Sequence, residues 1–449
     1  MYKRQGGEVT VDFYLINEKN VRGNHQLKIS VTDSQGKVME VGTYETEAAG
    51  GEVYGQLLVK DVKIPVPTAG GLCRIEAKLC KENSVVTTGY DDILSVNLAS
   101  NMLDGKGAVW EDGSALQNFL KGKTKEAVAA YEDNLGKLDW IMVARPPRKD
   151  QLTMVPMEAL RSADGKPGLD VVYYEDMEFQ KEVYHEVAKV VNLSAIEGAT
   201  PSPFVYMLDG YGIKWSGKVL PSVSGEYTII PQSNDRSMIE VFVNGKKIYE
   251  ITRKKEHLGD GKVYLEGGKS ADIEIRFRHP RSNARCRLDW AVPNDKMPDA
   301  QRLMERAVND GTKIFIIQSA DEWSEFIAAN SKAVFKDKFF VGTNWLGGVM
   351  FNKPHDIFKE LPVGNALNWP YQALIHTGVE RMGLVMEGEE LLVGAYHTYP
   401  MAIGTAMGIV PMGKGSVLFS TLDIYGNIIN DSAAGLVAKK LIFNMIDFK

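Results

Sequence analysis

Ile239-Glu240-Val241-Phe242-Val243-Asn244-Gly245-Lys246-Lys247-Ile248 is the stretch on which the fold turns. Residues 239, 241 and 243 are apolar and share one face of an extended chain. Asn244-Gly245 is a pair suited to the two left-handed residues of a tight hairpin turn, so two antiparallel strands are expected. Upstream, Gly225-Glu226-Tyr227-Thr228-Ile229 alternates in the same way. Downstream, Val263-Tyr264-Leu265 and Ile273-Glu274-Ile275-Arg276-Phe277 continue the pattern. Residues 169–290 therefore predict an all-β block.

The flanks have other periods. Residues 1–99 hold short strands such as Leu27-Lys28-Ile29-Ser30-Val31, followed by the turn Asp33-Ser34-Gln35-Gly36-Lys37. They predict an immunoglobulin-like β-sandwich. From residue 100 the chain alternates strand and helix. Ala108-Val109-Trp110 is a short apolar run, Ser114 caps a helix to Leu120, and a second helix is expected from Thr124 to Leu138. Trp140-Ile141-Met142-Val143-Ala144 then reads as a buried strand. After Pro298 the alternation resumes. A helix over 300–308 is closed by Asp310-Gly311, Lys313-Ile314-Phe315-Ile316-Ile317 is a strand, and Ser319 reads as the N-cap of the next helix. A hairpin is expected over 384–393, a strand over 415–420, and a last helix over 432–446 capped by Asp431. The simplest organisation is an α/β domain formed by 100–166 and 296–449, with a β domain over 167–295 inserted at a surface loop.

Length and composition bound the function. The chain has 449 residues, enough for about three domains. Its formal net charge of −6 excludes a general nucleic-acid or anionic-membrane binder. No apolar run is long enough for a membrane span. Cys73, Cys80 and Cys286 make no disulfide framework, and the odd spacing of the first two puts them on opposite faces of one strand. With no Cys-x-x-Cys and scattered histidines, no zinc site is expected. No signal peptide is legible at the start. A natural domain can open as this chain does, and so can a frame cut from a longer gene.

The middle block resembles a known family. Gly168-Leu169-Asp170-Val171-Val172-Tyr173-Tyr174, Tyr211-Gly212-Ile213-Lys214-Trp215-Ser216-Gly217, Ser224-Gly225-Glu226-Tyr227-Thr228 and Ser233-Asn234-Asp235-Arg236-Ser237 run in the order of motifs in the β-barrel domain named after anthrax protective antigen. Tyr14-Leu15-Ile16-Asn17-Glu18-Lys19-Asn20 is similar to the start of accessory sandwiches in Bacteroides-type glycoside hydrolase family 2 proteins. By layout, the split α/β domain resembles the Rossmann-like or flavodoxin-like, glutamine-amidotransferase-like domain of some β-galactosidase-like enzymes. The resemblance implies a C-terminal accessory, carbohydrate-binding region of a glycosidase. The catalytic barrel would lie upstream, the parent would be periplasmic or extracellular, and the accessory part could form homo-oligomers. A free-standing carbohydrate-binding or adhesion protein is one alternative. A hydrolase with an unrecognised site in the α/β domain is another.

Some sugar-binding members of that family hold calcium through two adjacent aspartates. The resemblance places Asn234 and Asp235 there, as glycan contacts and as calcium ligands. One negative charge is missing, and the family's following glycine is Arg236 here, so calcium is disfavoured. Trp345 and Trp369, in loop-like sequence, are the aromatic candidates for stacking on a sugar, whereas Trp215 and Trp290 belong to strands and read as core. The five arginines at 276, 278, 281, 285 and 287 form a basic run that reads as a charged sheet edge rather than an anion site. No Gly-x-Ser-x-Gly is present, and all three cysteines lie outside the α/β segments. His376 and His397 have no matching nucleophile, and paired acids such as Glu389-Glu390 follow no barrel strand. No catalytic residue is assigned.

Overall fold

The hairpin at 244–245 forms as its sequence demands. Val243 pairs with Lys246, and Asn244 and Gly245 both take positive φ, 48° and 75°. The structure, a computed structural model, describes residues 2–4, 7–51, 53–82, 84–98, 102–147, 152–194, 201–202, 210–233, 236–281, 284–293, 297–341, 348–375, 382–398, 401–429 and 435–448. Around the hairpin, two antiparallel sheets face each other. One runs Glu182–Ala188, Leu169–Tyr174, Tyr211–Val219, Ala271–His279, Met238–Val243, Lys246–Ile251 and His257–Leu258, with Leu160–Arg161 beside Tyr211–Val219. The other runs Thr153–Met154, Arg285–Ala291, Gly225–Ser233 and Lys262–Leu265, with Asn192–Ser194 also paired to Arg285–Ala291.

Alternate residues from both sheets make the core, including Val171, Ile213, Trp215, Tyr227, Ile229, Val241, Ile275, Phe277 and Trp290. Tyr227 and Trp290 lie with ring centroids 5.2 Å apart, and Trp215 meets Phe277 edge-on at 6.2 Å. The glycine of the Trp-Ser-Gly run has a packing cause. A Cβ on Gly217 would sit 2.3 Å from the carbonyl oxygen of Arg161.

The segments on either side of this domain contribute to a ten-stranded mixed sheet. Gly107–Glu111, Trp140–Ala144, Lys313–Ile316 and Gly415–Ser420 are parallel neighbours, and Ala129–Ala130 adds in parallel to the outer side of Gly107–Glu111. Beyond Gly415–Ser420 the sheet turns antiparallel through Met401–Met412, Met382–Glu387 and Val334–Phe340. Ala108, Trp110, Ile141, Val143, Ile314, Ile316, Val417 and Phe419 face one side, against Leu303, Met304, Trp323 and Ile327 of the helices Ala300–Asp310 and Ala320–Ala329. The chain is thus a mostly-β multidomain protein with a mixed parallel and antiparallel sheet region.

Several local expectations differ from the structure. The helix expected over 124–138 is absent, and Ala129–Ala130 extends the sheet instead. The guanidinium of Arg306 takes the carbonyls of Asp133, Leu135 and Gly136 at 2.6–3.1 Å, so those groups bond to a distant side chain and not to a helical ladder. This crossover therefore lacks the helix that a Rossmann-like sheet would place in it. The helix after Ser114 is present over Ala115–Leu120, but the serine hydroxyl does not cap it. The Glu111 carboxylate does, accepting from the backbone N–H of Leu116 and Gln117. Ser319 precedes Ala320–Ala329 with φ = 54° and makes no side-chain cap bond. The strands expected as a hairpin over 384–393 diverge. Met382–Glu387 pairs with Val334–Phe340 and Met401–Met412, whereas Glu390–Thr398 runs along Met401–Met412. Asp431 lies outside the described residues, and the last helix is Gly435–Asp447.

Two compact units divide the chain. One comprises residues 104–351 and 373–429, and the other residues 1–103, 352–372 and 430–449. In the second, a five-stranded sheet and the pair Glu8–Ile16/Gly55–Pro65 enclose a core of Val9, Leu27, Ile29, Val31, Ile64, Ile75 and Ile93. Cys73 and Cys80 are buried and free there. The unit boundaries run differently from the sequence divisions, because helix Gly435–Asp447 bonds to residues 97 and 357–360 of the second unit. Lys440, nearly buried, pairs with Glu360 at 2.7 Å and donates to the Asn97 carbonyl at 3.3 Å. Asn444 donates to the carbonyls of Ile357 and Lys359. Among the described residues, no helix is long and apolar enough to cross a membrane.

Candidate functional site

A cleft of about 360 Å³ opens beside the loop that follows Gly225–Ser233. That volume lies within the range of small-ligand sites. Ile230, Pro231, Gln232 and Ser233 form one wall, at the end of a strand. Tyr249 and Ile251, two apart on Lys246–Ile251, supply an aromatic ring and an aliphatic floor. Arg236, Ser237, Lys255, His257 and Leu152 complete the lining.

The local sequence builds the far rim. Thr252 and Glu256 close a tight turn, in which the Thr252 hydroxyl accepts from the backbone N–H of Lys254 and Glu256 and donates to the Glu256 carboxylate at 3.2 Å. The only carboxylate of that turn is therefore occupied within it. Lys255 takes φ = 64° inside the turn, and its backbone N–H donates to the Thr252 carbonyl. The chain then re-enters the sheet, where Ile251 pairs with His257. Tyr249 Oη and His257 Nδ1 lie 2.6 Å apart, their rings edge to face. Burial raises the tyrosine pKa, so the phenol stays protonated at neutral pH.

Across the cleft, Arg236 has φ = 76°. This left-handed backbone explains the glycine that the family carries there. The described lining therefore presents two permanent cations and an imidazole, with hydroxyls from Ser233, Ser237 and Tyr249 and the amide of Gln232. No aspartate or glutamate is among these lining residues. These described residues by themselves offer no carboxylate for calcium, which requires several oxygen ligands and favours negative charge. Among the described residues, no cluster of three or more His, Cys, Asp or Glu side chains is placed to hold a metal ion.

The sequence candidates distribute unevenly. Asn234 and Asp235, between Ser233 and Arg236, lie outside the described residues, as do Trp345 and His376. Trp369 begins a short 3-10 turn, Trp369–Tyr371, is half-buried, and belongs to the other unit. It does not line the cleft. Trp215 and Trp290 are buried in the barrel core. The arginine run is largely consumed by its own sheet. Arg276 pairs with Glu274 at 2.6 Å, Arg278 with Glu240 at 2.9 Å, and Arg287 with Asp289 at 2.8 Å. Tyr249, Lys255 and His257 were not candidates from sequence. The signal they left was Thr252-Arg253-Lys254-Lys255-Glu256-His257, a basic run after a hairpin, which reads by default as a solvated turn.

Comparison with known proteins places this cleft inside a named domain. Residues 165–302 match the PA14 domain family. The anti-sigma-I factor RsgI3 of Acetivibrio thermocellus is 28% identical over 127 residues, which are 28% of this chain and 19% of that protein. The chain thus matches about a fifth of the length of that curated relative. Among solved structures, an anti-sigma factor domain-containing protein overlaps 64% of this chain and 80% of its own, with TM-score 0.24 and 14% identity. A β-glucosidase from Kluyveromyces marxianus overlaps 49% and 29%, with TM-score 0.33 and 11% identity. The A domain of epithelial adhesin 9 from Candida glabrata, in complex with Galβ1-4GlcNAc, overlaps 33% and 90%, with TM-score 0.24 and 12% identity. At these scores the superpositions carry no argument about activity.

Proposed function

We propose that this chain is a carbohydrate-binding accessory region, and that its PA14 domain holds a glycan in the cleft between Gly225–Ser233 and the 252–257 turn. The observation that carries the reading is the lining itself. Hydroxyls, an amide and an aromatic ring converge on a small cleft, within residues that match the PA14 family. Sugars need that combination, because hydroxyl groups take directed hydrogen bonds while the C–H face of the ring packs on apolar surface. Asn234, Asp235 and Trp345 are auxiliary contacts in this reading, and Trp369, in the other unit, is not. A parent glycoside hydrolase, of the β-galactosidase-like family 2 type, would supply the catalytic barrel.

The test is a glycan array with the whole chain, followed by calorimetry on the strongest hit, with and without a calcium chelator. Binding that survives chelation, with no turnover of nitrophenyl glycosides, is the expected result. A flat array overturns the glycan reading. Turnover lost on substituting one carboxylate makes the chain a hydrolase instead.

A further inference from the structure

We infer that the N-terminal sandwich has an open slot that takes an extended basic peptide, added as a β-strand along the free edge of Glu8–Ile16. The two sheets of this sandwich are unequal. Tyr2–Arg4, Ser84–Val96, Gly71–Lys81, Arg22–Thr32 and Val38–Ala49 form one sheet, and Glu8–Ile16 with Gly55–Pro65 is the other. Among the described residues, Glu8–Ile16 pairs with Gly55–Pro65 alone, so its second edge is open. Tyr2–Arg4 covers the edge of Ser84–Val96 at residues 94–96 and no further. Burial shows the consequence. Thr87, Gly89, Asp91 and Ile93 share one face of their strand, opposite Leu79, Ala77, Ile75 and Cys73. Ile93 is 1% exposed, as a residue on the core face should be, whereas Thr87, Gly89 and Asp91 are exposed. The facing sheet does not reach far enough to cover them.

A cavity of about 250 Å³ opens at this place, with Leu27, Leu58, Ile75 and Leu79 in its lining. An apolar cavity of roughly 150 Å³ already holds benzene, so an apolar side chain fits. Residues 11–15 line it consecutively, as a strand does when it presents its backbone edge and not one face. An extended peptide suits both features, since its main chain bonds to the edge while alternate side chains enter the cavity. Charge narrows the occupant. Asp12 and Asp91 are the charged residues of the described lining, one on each strand. Asp12 sits at a register shift and accepts from the backbone N–H of Asp61, and Asp91 accepts from that of Asp92, both at 2.8 Å. A carboxylate has further lone pairs, which a lysine or arginine of the incoming strand can take. A bulged, acidic edge disfavours a second copy of the chain, which would bring its own Asp12 to the slot.

The experiment is fluorescence anisotropy of the whole chain with the labelled peptide Lys-Val-Lys-Val-Thr-Val-Lys-Val-Lys and a counterpart bearing glutamate for every lysine. The variants are Gly89→Leu and Asp91→Asn. Gly89 is not in the left-handed region, and a Cβ there meets nothing within 4 Å, so leucine can occupy the slot from within. We expect the basic peptide to bind at least about tenfold more tightly than the acidic one. Gly89→Leu should weaken it about tenfold or more while melting no lower than the parent protein, so the loss is not unfolding. Asp91→Asn keeps the acceptor for Asp92 and should reduce the basic-over-acidic preference about threefold. Bound peptide should slow hydrogen exchange of backbone amides within residues 9–16. The inference is overturned if the basic peptide does not bind, if Gly89→Leu binds it unchanged, or if residues 9–16 gain no protection. It is overturned in favour of self-association if the parent chain is a dimer that Gly89→Leu dissociates. None of these outcomes touches the glycan reading of the PA14 cleft, which lies in the other unit.

Discussion

The cleft on the PA14 domain and the carboxyl edge of the parallel strands use the same side-chain chemistry to opposite ends. At the sheet edge, Glu111 ends one strand and Asp112 follows it, and Arg145 follows the neighbouring strand. Crevices at the carboxyl ends of such strands commonly receive ligands. Here the protein's own groups fill the place. Glu111 accepts from two backbone N–H groups and from Tyr425 Oη at 2.8 Å. Asp112 pairs with Arg145 and accepts from the Thr153 hydroxyl at 2.7 Å. The Arg145 carbonyl takes the Trp323 indole N–H at 2.7 Å, and its guanidinium lies over the Trp110 ring. Burial raises the Glu111 pKa and lowers that of Arg145. At the cleft, Arg236, Lys255 and His257 border an open cavity together with hydroxyls, an amide and an aromatic ring. Polar residues alone do not mark a site, and what separates the two regions is whether the groups are buried against one another or border an open cavity.

The contrast can be broken by experiment. Its largest test is Asp112→Ala, which leaves Arg145 buried without its acid and should cost about 3–5 kcal/mol in urea denaturation. A loss below about 1 kcal/mol would mean that water or another group already serves Arg145, and that the edge is not sealed. Glu111→Ala should cost about 1–3 kcal/mol, because two helix-end donors and a buried phenol lose their acceptor. At the cleft the sign reverses. Arg236→Gly should stabilise the fold by about 1 kcal/mol, read as a rise in melting temperature. Destabilisation would show the arginine to be structural.

The smallest effect is one of pH. The folded Glu111 carboxyl binds its proton more tightly than in the unfolded chain. Its contribution is therefore fully present below the ordinary carboxylate pKa and is lost as pH rises through the raised, folded value. Glu111→Gln cannot titrate. The stability of the parent protein relative to this variant should fall as pH increases across that window, in denaturation curves taken at matched ionic strength. A difference independent of pH would place the carboxylate in contact with water.

Much of the fold was legible locally. Asn244-Gly245 announced its hairpin because both residues tolerate positive φ, and the alternation of 225–229 announced a strand because every second residue had to reach one core. The expected helix over 124–138 failed for a reason no local window contains. Its carbonyls are taken by Arg306, more than 160 residues later in the chain. Ser114 and Ser319 looked like caps by position. One is displaced by the better-placed carboxylate of Glu111, and the other sits at an unsuitable backbone angle.

The loop at 233–237 was singled out from its motif alone, and the arginine in place of the family's glycine was visible there as a departure. By itself the sequence determined where strands alternate, where turns fold back and which domain type the middle block resembles, since these follow from side-chain period and local torsion preference. Only the tertiary structure decided that Arg236 is left-handed, that Lys255 and His257 return to stand in the same cleft, and that Asp112 and Arg145 of the sheet edge neutralise each other. Those outcomes depend on which distant groups meet, and a buried charge is fixed by its partner rather than by its neighbours along the chain.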